Sequence, residues 1–335
     1  MNEQASERVV LNVAYQPQVR TAVDTRCLMR RVILALLPAL VFACWQFGGC
    51  CLLLTFVSVG SAVFFEWGWC KLRKKRSSVD DLSAALTGLL LALTLPPSAP
   101  LYLPVIGAFF AIVVVKQLYG GLGKNFLNPA LAARAFLLAS YAAAMGRFPL
   151  PAALSGKLDA VSMATPLAYL YGDEAMPAAY GLVDLLFGFR SGALGETAAL
   201  LLLLGGLYLI ASRVISWRIP ASYLGTVALL ALLFGREGYG RVDFMLYNLL
   251  SGGLLLGAFF MATDYVTSPV TPGGQLLYGF GCGALTMLIR AFGGYPEGVT
   301  YAILLMNLCA WAIDKLCRRR RVFGMSRKDA KEAAR

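Results

Sequence analysis

Apolar residues in this chain come in long runs separated by short polar intervals. Ten runs can be delimited, at 32–47, 50–70, 82–95, 101–119, 129–145, 195–212, 219–235, 243–262, 275–292 and 298–316. Each approaches the ~20 residues an α-helix needs to cross the hydrocarbon of a bilayer. A helix satisfies its own backbone hydrogen bonds there, where water cannot. The pattern therefore predicts an all-α polytopic membrane protein with about ten transmembrane helices. It divides the chain into a cytoplasmic N-terminal segment (1–31), a first five-helix half (32–145), an outer-side loop region (146–194), a second five-helix half (195–316) and a basic cytoplasmic tail (317–335).

The third run of each half carries a related string, Gly88-Leu-Leu-Leu-Ala-Leu in one and Gly253-Leu-Leu-Leu-Gly-Ala in the other, and the first of these runs ends at Pro96-Pro97. An odd number of spans per half turns the second half upside down, so the two halves read as inverted repeats. Interrupted apolar segments at matching places in two halves point to a site near the bilayer midplane.

Charge adds the orientation. With the N-terminus inside, 23 of the 30 Lys and Arg fall in inner segments and five in outer ones, Arg134 and Arg290 lying within runs. This is the positive-inside asymmetry. It places 146–194 outside and reads 71–76 (KLRKKR) and 318–321 (RRRR) as anchors against anionic lipid. The same clustering beside apolar runs argues that the net charge of +12 does not serve nucleic acid. Composition agrees: 59% hydrophobic and 14% charged residues, with a mean hydropathy of +0.67, where a soluble domain is about a quarter charged. The polar, Arg-dotted stretch before the first run, with further runs after it, suggests an uncleaved first helix rather than a signal sequence.

Composition also narrows the chemistry. Histidine is absent, which removes bis-His haem, His-ligated metal sites and imidazole acid–base work. None of the eight cysteines forms a CxxC pair, so they read as small buried hydrophobes. Three polar strings remain. Gly120-Gly121-Leu-Gly-Lys124-Asn125-Phe-Leu-Asn128-Pro129 combines glycines, a cation and amides ahead of a helix start, where anions are favoured; a tight inner turn with a snorkelling lysine explains it equally well. Asp264, with Thr263, Thr267 and Ser268, offers oxygen ligands at the inner end of the eighth run, as an ion site or as a helix cap. Asp159-Ala-Val-Ser162-Met-Ala164-Thr165-Pro-Leu167 lies in the outer loop region and on its own reads as an ordinary loop. Glu196 is expected in the first turn of the sixth helix, stabilised by the dipole. Glu66 is expected to pair with the basic run beginning at Lys71, and Arg134 and Arg290 to snorkel from span ends.

Three strings together carry a specific likeness: GGLGKNFLNPALAARAF (120–136), DAVSMATPL (159–167), and GALGET (192–197) with MATDYVTSPVTPGG (261–274). They resemble the family that includes the D-type membrane component of the Rnf ferredoxin:NAD⁺ oxidoreductase and the B-type component of the Na⁺-translocating NADH:quinone reductase. The resemblance implies FMN joined through its phosphate to the threonine of an S-x-A-T motif by a flavin transferase. Thr165 is then the attachment residue, with Ser162, Ala164 and Asp159 in the motif, while Ala160 and Met163 depart from its usual form. It also implies a non-covalent riboflavin, to be sought at Gly121, Lys124, Asn125 and Asn128, and an ion pathway for Na⁺ or H⁺ with Asp264, Thr263 and Glu196 as candidates. The expected partners are an outer-side FMN-carrying subunit and Fe–S subunits, and the expected location is the bacterial cell membrane with both termini cytoplasmic. The chain holds no acid–base or nucleophilic set of its own, so it would act only as a subunit of an electron-transfer-driven ion pump. The rival readings are a secondary transporter with a midplane substrate site, and a passive membrane scaffold.

Overall fold

The computed structural model of the chain describes residues 24–74, 78–150, 163–172, 177, 180–197, 199–236, 238–293 and 297–318. The described elements are helical: α1 (Thr25–Phe47), α2 (Gly49–Leu72), α3 (Ser83–Thr94), α4 (Tyr102–Phe109, continuing in π-helical geometry over Phe110–Gln117), α5 (Pro129–Ser140), α6 (Ala142–Met145), α7 (Pro166–Tyr171), α8 (Leu182–Phe187), α9 (Ala199–Ala211), α10 (Arg218–Phe234), α11 (Arg241–Leu250), α12 (Leu254–Leu256, with a π turn over Gly257–Met261), α13 (Pro272–Phe292) and α14 (Val299–Arg318), with a 3₁₀ turn at Val79–Asp81. A helix stands at each of the ten apolar runs. Four of them, α1, α2, α13 and α14, are each long and apolar enough to cross a membrane, and α11 with α12 make a fifth if counted as one span bent by 61°. The other five are apolar helices of 10–17 residues. The chain is thus an all-helical, multi-pass membrane protein.

Local sequence explains where the helices begin. Asn128-Pro129, Thr165-Pro166 and Thr271-Pro272 open α5, α7 and α13 with one device: a capping side chain takes a backbone N–H of the first turn, and proline occupies the first helical position, where its missing N–H costs nothing. Gly48, with φ of +86°, lets the chain reverse between α1 and α2. At the far end of α2, Lys71 and Arg73 lie over the rings of Trp67 and Trp69, so cation–π contacts hold these cations beside the apolar span.

Packing relies on close backbone approach, as it must where lipid supplies no hydrophobic drive between helices. On α13, a Cβ at Gly279 would lie 2.8 Å from the Ile219 carbonyl oxygen, and one at Gly283 would lie 2.9 Å from that of Tyr223. The two glycines form a small-xxx-small seam against α10. On the other side, a Cβ at Gly88 of α3 would meet Val59 Cα of α2 at 2.8 Å. The outward faces carry large exposed apolar side chains, among them Val41, Phe56, Phe64, Phe292 and Trp311, as a lipid-facing surface requires.

Gly283→Val should therefore cost about 1–3 kcal/mol by overpacking and lower the thermal midpoint of the detergent-solubilised protein. Gly225→Ala on α10, where an added Cβ meets nothing within 4 Å and alanine is the better helix former, should not lower that midpoint.

Candidate functional site

The break between α11 and α12 organises the packing around it. Gly252 and Gly253 take φ of +72° and +65°, the left-handed region that glycine enters without penalty. The carbonyls released there are taken by a buried arginine. Arg290 of α13 donates from Nη1 to the Asn248 carbonyl at 2.7 Å and from Nη2 to that of Ser251 at 3.1 Å. Arg190, in the segment before α9, donates to Ser251 Oγ at 3.2 Å and to the Glu196 carbonyl. Glu196 Oε1 stands 3.5 Å from Arg134 Nη2, and the same nitrogen pairs with Glu297 Oε2. Arg134, Arg190, Arg290 and Glu196 are each no more than 5% exposed.

Three sequence expectations are corrected here. Arg134 and Arg290 do not snorkel to the interface; they are buried and hydrogen-bonded inside. Glu196 precedes α9, which begins at Ala199, so it is an ion-pair partner rather than a first-turn dipole residue. Glu66 pairs with Lys116, whose Nζ lies 2.9 Å from both carboxylate oxygens, and not with the Lys71 run. Ser83 Oγ, 2.7 Å from Lys116 Nζ, and Ser78 Oγ, donating to Glu66 at 2.6 Å, complete that buried cluster.

Thr165 sits on the short helix α7, which the same break anchors. Tyr171 at its end donates to Asn248 Oδ1 at 2.8 Å, while Arg236 donates to the Leu170 and Gly172 carbonyls at 2.8 and 2.9 Å. A Cβ on Gly252 would reach Leu167 at 2.6 Å and Arg290 Nη2 at 2.9 Å. At the other end Thr165 is the N-cap, its Oγ1 accepting from Ala168 N at 3.3 Å, and the Ala164 carbonyl accepts from Tyr180 Oη at 3.3 Å. Thr165 is 7% exposed and lines a cavity of about 220 Å³ together with Leu138, Met145, Phe148, Glu297, Thr300 and Tyr301. Ala164 lines it as well; Asp159 and Ser162 lie outside the described residues.

The strings around Asn125 and Asp264 converge separately. Asn125, Asn128, Thr263 and Asp264 line one cavity of about 80 Å³ with Lys116 and Ser83, room for two or three waters at ~30 Å³ each. Asn128 caps α5 and donates to the Met261 carbonyl at 3.1 Å. Asn125 donates to the Leu127 carbonyl at 3.0 Å. Thr263 Oγ1 donates to the Phe259 carbonyl at 2.6 Å, and Thr267 donates to the Asp264 carboxylate at 3.3 Å. Burial raises the Asp264 carboxyl above its ordinary value. Gly121 forms the turn after α4, its N–H on the Lys116 carbonyl at 3.0 Å, and Lys124 is exposed. The cation facing this cavity is therefore Lys116 rather than Lys124. Sequence reasoning missed Lys116, Arg190, Glu297 and Thr300 as site residues; for the first three the available signal was a charged side chain within or beside an apolar run.

Buried ion pairs inside a bundle, a glycine-broken helix and a polar threonine over an apolar cavity define a helical membrane protein built to hold charge in low dielectric. The chain belongs to the NQR2, RnfD, RnfE family, whose model matches residues 12–324. It is 48% identical over 325 residues, 96% of this chain and 98% of the relative, to the D-type component of the Na⁺-translocating ferredoxin:NAD⁺ oxidoreductase complex of Acetobacterium woodii. It is 42% identical to the D-type component of the proton-translocating ferredoxin:NAD⁺ oxidoreductase complex of Clostridium ljungdahlii, over 94% of this chain and 97% of that one. It is also 41% identical to the D-type component of the ion-translocating oxidoreductase complex of Stutzerimonas stutzeri, over 90% and 92%.

Removing one partner of a buried pair leaves the other charged and alone, so Lys116→Met should destabilise the protein by roughly 3–5 kcal/mol. The double variant Glu66→Gln/Lys116→Met should recover much of that loss, read as thermal midpoints in detergent.

Proposed function

We propose that this chain is the D-type membrane component of an Rnf ion-translocating ferredoxin:NAD⁺ oxidoreductase complex, carrying FMN on Thr165 and relaying electrons coupled to movement of Na⁺ or H⁺. These are the ions named in two of its relatives. It does not act alone: an outer-side FMN-carrying subunit and Fe–S subunits are its partners, and a flavin transferase matures it. The setting is the bacterial cell membrane with both termini cytoplasmic and ten crossings in two inverted halves. That arrangement draws support from the way Gly195 lies between the third helices of the two halves, its N–H on the Leu93 carbonyl at 2.6 Å and Leu256 2.9 Å from where a Cβ would stand.

The observation that carries the flavin reading is the place of Thr165, a capping residue at the wall of a cavity in an otherwise helical bundle. The residues present fit a tethered flavin. Thr165 Oγ1 spends a lone pair on Ala168 N–H, which fixes the rotamer and so the direction of any group joined to that oxygen, while leaving its own proton replaceable. Leu138, Met145, Phe148 and Tyr301 give the cavity apolar walls suited to a flat ring. About 220 Å³ is below the 300–1,000 Å³ usual for an enclosed ligand site, which suits a cofactor left partly accessible to an outer redox partner. A phosphodiester carries about one negative charge where a free phosphate monoester carries nearly two, lowering the desolvation cost beside hydrocarbon.

When bound, the flavin supplies the one- and two-electron chemistry that the side chains lack. Thr165 holds it against loss, α7 and its anchors at Asn248 and Arg236 hold Thr165, and the apolar wall limits water. The inner cavity with Asn125 and Asn128 is where a second flavin, riboflavin, would be sought, and it would have to widen well beyond 80 Å³. Asp264 and Thr263 border the same cavity, and Glu196 lies with the outer cluster, so the ion-pathway candidates divide between two places.

Purified protein from cells possessing the transferase should give an ultraviolet-fluorescent band on a denaturing gel, and Thr165→Ala should be dark. The tryptic fragment Leu158–Arg190 should carry the added mass of FMN. A dark wild-type band would overturn this reading in favour of the transporter.

A further inference from the structure

The cavity at Thr165 has one polar wall, and it belongs to the start of α14. Glu297 and Thr300 both line the cavity. Thr300 is 2% exposed, and its Oγ1 has no hydrogen-bond partner among the described residues. A buried hydroxyl left unpaired is costly, so its place beside a cavity marks it as a donor for whatever occupies that space. Glu297 is held by Arg134, whose Nε is likewise unpartnered. The wider cluster of Arg134, Arg190 and Arg290 against Glu196 and Glu297 leaves one positive charge over among the described residues. A phosphodiester on Thr165 would bring one negative charge to the neighbouring cavity, so the outer cluster and the tether would balance.

We propose that Glu297 and Thr300 are the contact residues for the flavin carried by Thr165 and set its reduction potential with opposite signs, Arg134 being the positioning residue that holds Glu297 in place. The inference rests on the tether reading above. Reduction adds electron density to the isoalloxazine ring. A carboxylate beside the ring opposes that addition, and its pairing with Arg134 weakens the repulsion without reversing its sign. A hydroxyl donating to the ring would favour it, because a hydrogen-bond acceptor becomes more basic as the ring gains charge. The carboxylate thus lowers the potential and the hydroxyl raises it. Neither side chain is chemically altered, and no further reactant is needed.

The test uses the assembled complex from cells with the transferase, in wild-type, Glu297→Gln, Glu297→Asp, Thr300→Val and Thr165→Ala forms. Fluorescence of the denatured band reports attachment. A redox titration follows the absorbance component missing from Thr165→Ala. With attachment unchanged, Glu297→Gln should shift the midpoint upward, Glu297→Asp should restore it toward wild type, and Thr300→Val should shift it downward. A fluorescent Glu297→Gln or Thr300→Val protein titrating at the wild-type midpoint would overturn the proposal while leaving the tether standing. If Glu297→Gln does not assemble, the direction of the Thr300→Val shift decides. A dark wild-type band overturns the tether, and this inference with it.

Discussion

A helix interrupted inside a bilayer releases backbone carbonyls that water cannot reach, and each must find a donor from the protein. At the junction of α11 and α12 the donor is Arg290, which bonds the carbonyls of Asn248 and Ser251. One buried guanidinium then requires further arrangement around it. Its charge calls for carboxylates within the bundle, and Glu196 and Glu297 are brought there by the segment before α9 and by the turn into α14. Arg134 from α5 links the two acids. In this way a backbone problem on one helix draws four other parts of the chain to one place.

The cluster also determines where the candidate flavin site can be. Helix α7 is too short to be stable alone, since isolated helices below ~12–15 residues are marginal. It persists because Asn248 and Arg236 hold its last residues and because Leu167 packs against Gly252. Thr165 therefore has a fixed position by virtue of the same break that placed the arginines. Thr165 and the charge beside its cavity are parts of one construction, with α14 contributing the polar wall and α5 the cation that steadies it.

A second buried cluster repeats the principle with other residues. Lys116, at the end of the π-helical part of α4, neutralises Glu66 on α2 and is bonded by Ser83 at the head of α3. The widened π turn shifts the register of the last residues of α4 relative to a regular helix, as such segments do at functional places. The result places the Lys116 member of the pair on the small cavity that also holds Asn125, Asn128 and Asp264.

Much of this was legible from the sequence. Apolar runs give helices because nothing else satisfies the backbone in lipid, so the position of every long helix followed from hydropathy. The strings around Lys124, Thr165 and Asp264 gave the family through side chains whose order in the chain is enough to recognise it. The pairings were not legible. Glu66 stands a turn from Lys71, and nearness in sequence favoured that lysine; the fold instead delivers Lys116 from fifty residues away, because Lys71 is drawn onto the Trp67 ring while α4 packs against α2. Arg134 and Arg290 looked like snorkelling residues because their distance from the span ends is visible, whereas the carbonyls and acids that hold them inside come from α11, the α9 approach and α14. A charge in low dielectric takes the partner that is nearest in space, and only the tertiary structure decides which residue that is.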